Sequence, residues 1–226
     1  MKRFIYASIG IFILLGIGSY FAFSQKSSNE LNSDHSFKNV NSTGVMDDKE
    51  KKSCCSHNMD SEKISENSVY QLESVWKNES NKEIKLSDFK GKNVVIAMIF
   101  ANCTYACPII INDMKRIESE LSNKELKNTK FILVSIDPER DTPEVLYDLS
   151  KRQNLDQKRW TLLTGTQDDV RELAAVFGFK YQKDEKGDYS HSNLINILND
   201  DGEIVYQYEG LNKGISEAVT QVSMLN

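Results

Sequence analysis

The chain has 226 residues, enough for one domain and for two only if both are small. A formal net charge of -5 leaves no basic footprint, which argues against nucleic acid as a partner. Four cysteines are too few for a disulfide scaffold; they fall in two unlike settings, which points to site chemistry instead.

Lys2 and Arg3 precede an uncharged run from Phe4 to Phe23. Twenty residues at about 1.5 Å rise span the roughly 30 Å hydrocarbon core of a bilayer. Residues 1–23 therefore read as a transmembrane anchor, with the basic end in the cytoplasm and the rest in an exported compartment. A cleaved signal is the alternative, because Ala22 and Ser24 are small residues at a plausible cleavage point. Residues 24–67 are rich in Ser, Asn, Lys, Asp and Glu and lack hydrophobic periodicity. They read as a flexible tether that buries too little apolar surface to offset the entropy of folding.

The globular part is expected over 68–226. Val69 to Trp76 alternates roughly as a strand, and Leu86 to Lys92 reads as a helical turn closed by Gly91. The apolar run Val94 to Phe100 predicts a strand buried on both faces. Ile110, Ile111, Met114, Ile117 and Leu121 recur at helical spacing, and Pro108 suits the first turn of that helix. Phe131 to Ile136 is a second buried strand. Thr142-Pro143-Glu144 is an N-cap with an acidic first turn, opening a helix to about Arg152. Trp160 to Leu163 is a short strand. Thr166 with Asp169 opens a further helix ending at Gly178. Leu194 to Leu198 and Glu203 to Tyr208 flank a turn at 199–202, and a last helix runs from Ile215 to Met224. The alternation predicts an α/β layer fold with a central mixed sheet.

Cys103 and Cys107 follow the first buried strand, at the sheet edge where α/β folds place ligand sites. Four residues apart, the two sulfurs can close a disulfide or hold one soft metal ion. The bland readings are two small apolar fillers or a purely structural disulfide. Cys107, directly before the expected helix, is the one whose thiolate the free amides and dipole should favour. His191 is the sole histidine of the globular part. Its bland reading is a surface or hydrogen-bonded core histidine. Two thiolates and one imidazole, however, suit copper in either oxidation state, whereas zinc ordinarily takes a fourth ligand.

Residues Phe100-Ala101-Asn102-Cys103-Thr104-Tyr105-Ala106-Cys107-Pro108 resemble the CxxxCP segment of the Sco/SenC family, implicated in cytochrome c oxidase assembly. Ser135-Ile136-Asp137-Pro138-Glu139-Arg140-Asp141-Thr142 and Leu163-Thr164-Gly165-Thr166 look like two further blocks of that family. His191 stands where its metal-binding histidine stands. The resemblance covers 69–226 and implies a thioredoxin-like fold in which Cys103, Cys107 and His191 bind one copper ion. It also implies a partner, cytochrome c oxidase subunit II, whose binuclear copper site receives copper or has its cysteines reduced; a copper donor or a thiol reductant would act upstream. Thr104 departs from the proline that many members carry after the first cysteine.

Two motifs lie beside this frame. Cys54, Cys55, His57 and Met59 gather soft and borderline ligands suited to Cu(I) in the tether, against a bland reading of chance clustering. In the acidic block, Glu139 and Asp141 read as a solvated loop with capping residues. Asp137, ending a buried strand, is a candidate for a place near the metal or a docking partner. The competing function is an exported thiol–disulfide oxidoreductase, although such enzymes favour CxxC and a proline ahead of the strand at Leu194, where this chain has none. A thiol peroxidase is the third reading: Thr104 lies three residues before Cys107, but Phe100 occupies the place of the upstream proline.

Overall fold

The computed structural model describes residues 65–226. The expected membrane segment, most of the tether and the cluster from Cys54 to Met59 lie outside the described residues. Among the described residues no helix is long and apolar enough to cross a membrane.

A seven-stranded mixed sheet forms the centre. Its strands are β1 (Trp76–Asn78), β2 (Glu83–Ile84), β3 (Asn93–Ile99), β4 (Thr129–Ser135), β5 (Trp160–Thr164), β8 (Leu194–Leu198) and β9 (Ile204–Glu209). Their order is β2-β1-β5-β4-β3-β8-β9. The inner trio β5-β4-β3 is parallel, and the flanking pairs are antiparallel. All seven residues of β3 and all five of β8 are buried. That explains continuous apolar runs in place of alternation: both faces of these strands are covered. The connections between parallel strands carry α1 (Ala106–Glu120), α2 (Asn123–Asn128) and α3 (Pro143–Arg152). Helix α4 (Gln167–Phe177) follows β5, and α5 (Ser216–Met224) ends the chain. A separate two-stranded sheet, β6 (Tyr181–Lys183) with β7 (Tyr189–His191), projects between α4 and β8.

Most expected elements stand within one or two residues of their predicted ends, and the exceptions have local causes. Val69–Gln71 is a 3-10 turn instead of a strand, begun by the Ser68 hydroxyl accepting from the Tyr70 amide. Only Trp76 to Asn78 pair as β1. Chain packing also begins slightly before 68, since Gln71 donates to the Ser65 carbonyl and Ser65 to Glu203. Helix α2 was not expected. Its signal is the capping box Ser122/Glu125, with a charged body too short to show a period. The β6–β7 hairpin is equally polar. Its turn is held by Asp184 Oδ1, which accepts from the Lys186 and Asp188 amides, with Gly187 at φ +85°.

Gly165, after β5, has a packing reason. A Cβ there would lie 2.8 Å from Trp76 Cε3, and Trp76 is fully buried. Gly165→Ala is expected to destabilise the fold by about 1–3 kcal/mol through overpacking. Urea unfolding of the reduced protein reads this directly; an unchanged midpoint would mean the indole moves aside freely.

Candidate metal and dithiol site

Strand β3 delivers the chain to the site, and a short loop turns it into α1. Helix α1 begins at Ala106, so Cys107 is the second helical residue and Pro108 the third, not the first. Proline is tolerated there because the first-turn amides have no intrahelical acceptor. Cys107 is buried and Cys103 half-buried, and both are free thiols. Asn102, Thr104 and Tyr105 are exposed around them.

The helix N-terminus serves Cys103, which corrects the expectation for Cys107. The Cys107 amide donates to Cys103 Sγ at 3.3 Å. The Cys107 thiol and the Cys107 and Tyr105 amides stabilise a Cys103 thiolate against its partial burial, lowering its pKa to about 4. Cys107 moves the other way. Donation to Cys103, then burial, pushes its thiol far up, although the Phe100 amide reaches its sulfur at 3.5 Å. The pair thus keeps one proton, on the inner sulfur.

His191 closes the site from the last position of β7. Its Nε2 lies 3.7 Å from Cys107 Sγ, and its Nδ1 lies 2.7 Å from the Ser192 carbonyl. The carbonyl can only accept, so Nδ1 carries a hydrogen, and in the neutral ring it is the Nε2 lone pair that faces the sulfurs. The ring is stacked on Phe179 at 5.8 Å and meets the edge of Phe100 at 5.8 Å. One donor atom from each of Cys103, Cys107 and His191 lies within 4.8 Å of the others. Two soft sulfurs and a lone pair aimed at them fit a soft or borderline metal ion.

The acidic block divides differently from the sequence reading. Asp141 is fully buried, not solvated. Its Oδ2 accepts from the Ala101 amide at 2.9 Å and the Ser135 hydroxyl at 2.6 Å, and burial pushes its carboxyl up. It thereby holds the start of the cysteine loop. Its signal, an acid four residues after another at a strand end, did not separate it from ordinary capping. Glu139 is exposed and pairs with Lys183. Asp137 is buried outside the three-donor cluster; it pairs with Arg140 and accepts from Tyr189. Arg140 and Tyr189 were not singled out from sequence.

The lowered pKa has a direct consequence. In the reduced, metal-free protein, iodoacetamide at about pH 6 is expected to modify Cys103 and spare Cys107, whereas an ordinary thiol with pKa about 8.5 would be almost unreactive. A pKa of about 4 keeps the reactive thiolate present as pH falls from neutrality. Timed alkylation with peptide mapping tests it; a Cys103 rate dropping about tenfold per pH unit below pH 8 would mark an unperturbed thiol.

A family model described as SCO1/SenC matches residues 60–225. The SCO1 protein homolog of Bacillus subtilis is 27% identical over 146 residues, spanning 63% of this chain and 75% of that protein. The structure of BsSco, described as a member of the Sco family of cytochrome c oxidase assembly proteins, superposes with TM-score 0.59 at 26% identity, covering 67% of this chain and 90% of that one. Copper-bound yeast Sco1 shares the fold, with TM-score 0.57 at 21% identity over 67% of this chain and 84% of that one. The central mixed sheet, the CxxxCP loop and the model match over 60–225 agree, and the chain belongs to the SCO1/SenC family.

Proposed function

We propose that the protein is a membrane-tethered copper chaperone of thioredoxin-like fold that helps assemble the binuclear copper site of cytochrome c oxidase subunit II. Residues 1–23 anchor it, 24–67 form the tether, and 68–226 work in the exported compartment. The observation that carries the reading is the convergence of Cys103, Cys107 and His191, with the imidazole lone pair aimed at the sulfurs. Copper is cargo here, taken as Cu(I) or Cu(II). Binding displaces the Cys107 proton, and the exposed residues around half-buried Cys103 leave room for an acceptor sulfur to enter before a donor sulfur leaves.

A second reading is favoured by the split between the two thiols. The Cys103 thiolate can attack a partner disulfide, forming a mixed disulfide and releasing the partner's other sulfur as a thiolate. Cys107 then loses its proton and attacks Cys103 Sγ, and the second partner thiolate departs. Two electrons pass to the partner and the pair ends oxidised, so a reductant protein must restore it. That exchange needs no metal ligand from His191, although its Nε2, 3.7 Å from Cys107 Sγ, is placed to take the Cys107 proton.

Titration of the reduced protein with Cu(I) against a competing chelator should show one ion held at the three-residue site. His191→Ala should weaken it more than about tenfold. The same variant should fail to restore cytochrome c oxidase activity in cells lacking the protein. If it restores that activity fully while Cys107→Ser does not, disulfide reduction is the physiological act.

The tether cluster is proposed as a weaker Cu(I) site of Cys54, Cys55, His57 and Met59. Met59 precedes the 3-10 turn at Val69 by about ten residues, so a flexible connection would keep any bound ion at high effective concentration near the domain. Changing both Cys54 and Cys55 to Ser in the full chain should lower bound Cu(I) by one equivalent; undiminished copper would remove this site.

A further inference from the structure

The hairpin that carries His191 is not part of the main sheet. At its base, Ser192 N donates to Lys180 O at 2.8 Å and Lys180 N to Ser192 Oγ at 3.0 Å. Those bonds close the hairpin without fixing where it lies. Its placement over the dithiol needs contacts outside the hairpin: the rings of Tyr189 and His191 pack on Phe100, Gln167 Nε2 donates to Tyr181 Oη at 3.0 Å, and the charged contacts gather around one buried carboxylate.

Asp137, 1% exposed, ends the segment after β4. Its own position is set by its amide donating to Ser135 Oγ at 3.0 Å, and by its carbonyl accepting from the Arg140 and Asp141 amides. Its carboxylate receives donors that reach both strands of the hairpin. Tyr189 Oη in β7 donates at 3.2 Å, and Lys183 Nζ in β6 lies at 3.6 Å. Arg140 pairs with the carboxylate and also donates to the Gly187 carbonyl in the hairpin turn. Both cations approach the Tyr189 ring, at 5.9 and 5.5 Å from its centroid.

Tyr189 and His191 are two residues apart on one strand, so their side chains share a face. Both rings meet Phe100, Tyr189 at 5.3 Å and His191 at 5.8 Å. A shift of Tyr189 therefore carries His191 with it. Glu139, 76% exposed, also pairs with Lys183 but cannot serve as the buried anion for Arg140 and Tyr189.

We propose that Asp137 is a positioning residue for His191: its carboxylate anchors the β6–β7 hairpin so that Nε2 stands over the two sulfurs. The functional half of this inference rests on the copper reading above; the anchoring half does not.

Asp137→Asn keeps the shape and one acceptor for Tyr189 but removes the charge. In the full, metal-free, reduced chain it should speed amide exchange in β6 and β7 about tenfold or more and leave β3 and β4 unchanged. Tyr189→Phe, which deletes one hydroxyl, should act in the same direction more weakly. In Cu(I) competition, Asp137→Asn should lower affinity about tenfold. The double variant with His191→Ala should bind no more weakly than His191→Ala alone, because a positioning residue acts only through its ligand. Unchanged hairpin exchange in both single variants overturns the anchor, whatever copper does. Additive losses in the double variant overturn positioning of His191. Faster exchange with copper affinity untouched by His191→Ala supports the anchor and removes the copper reading instead.

Discussion

The Phe100 amide lies 3.5 Å from Cys107 Sγ, while its ring packs against Tyr189 and meets His191 edge-on. This residue, just past the end of β3, thus touches both parts of a site whose sequence positions are 84 apart. Its backbone is held by the sheet, because the run before it is buried and paired on both sides with β4 and β8. The geometry of three donors is therefore inherited from strand pairing. The cysteine loop, which places Ala101 and Cys107 in the core, and the hairpin, whose Tyr181 and Tyr189 pack against it, thereby acquire a shared reference point.

Two carboxylates at the neighbouring strand end complete the frame, and they serve different halves of it. Asp141 reaches toward the cysteine loop through Ala101, and Asp137 toward the histidine hairpin through Tyr189 and Arg140. Each is buried; Asp137 is matched by donors, whereas Asp141 has its Oδ2 satisfied and its Oδ1 without a partner, so burial works against its charge. Their partners differ in kind. Asp141 has only neutral donors and its carboxyl is raised by burial, whereas Asp137 has a guanidinium.

Much of this was legible in the residues. Continuous apolar runs announced β3 and β4, and the Thr142 and Thr166 caps placed α3 and α4 to within a residue. The CxxxCP loop and His191 were legible because their chemistry is scarce in the chain. Less accessible was anything resting on direction. A helix N-terminus next to a cysteine does not say which sulfur its amides face, and here the Cys107 amide faces Cys103 Sγ. Asp137 was set apart by ending a buried strand, but Glu139 and Asp141 were indistinguishable from capping residues, since burial of a carboxylate depends on which strand end it meets in space. The β6–β7 hairpin was hidden for a related reason: its strands are only three residues long, and the face they half-bury carries aromatic rings among charges instead of an aliphatic run.

The division of protons between the cysteines ties the two proposed activities together. A disulfide between Cys103 and Cys107 offers no thiolate, so an oxidised site can hold no ion through sulfur. A copper-loaded site, conversely, has both sulfurs engaged and no free thiolate to attack a partner. Delivery and reduction therefore exclude one another in any single molecule at any moment, although the same three residues remain in place. The histidine breaks the symmetry. It stands on a hairpin outside the sheet, with Nε2 3.7 Å from Cys107 Sγ, the sulfur that keeps its proton, and within reach of the half-buried Cys103. In the proposed carrier, an ion held by both sulfurs would displace the Cys107 proton, while in the proposed reductant a partner disulfide would react at Cys103 before that proton moves. The order of events at Cys107 would then distinguish the two proposed activities.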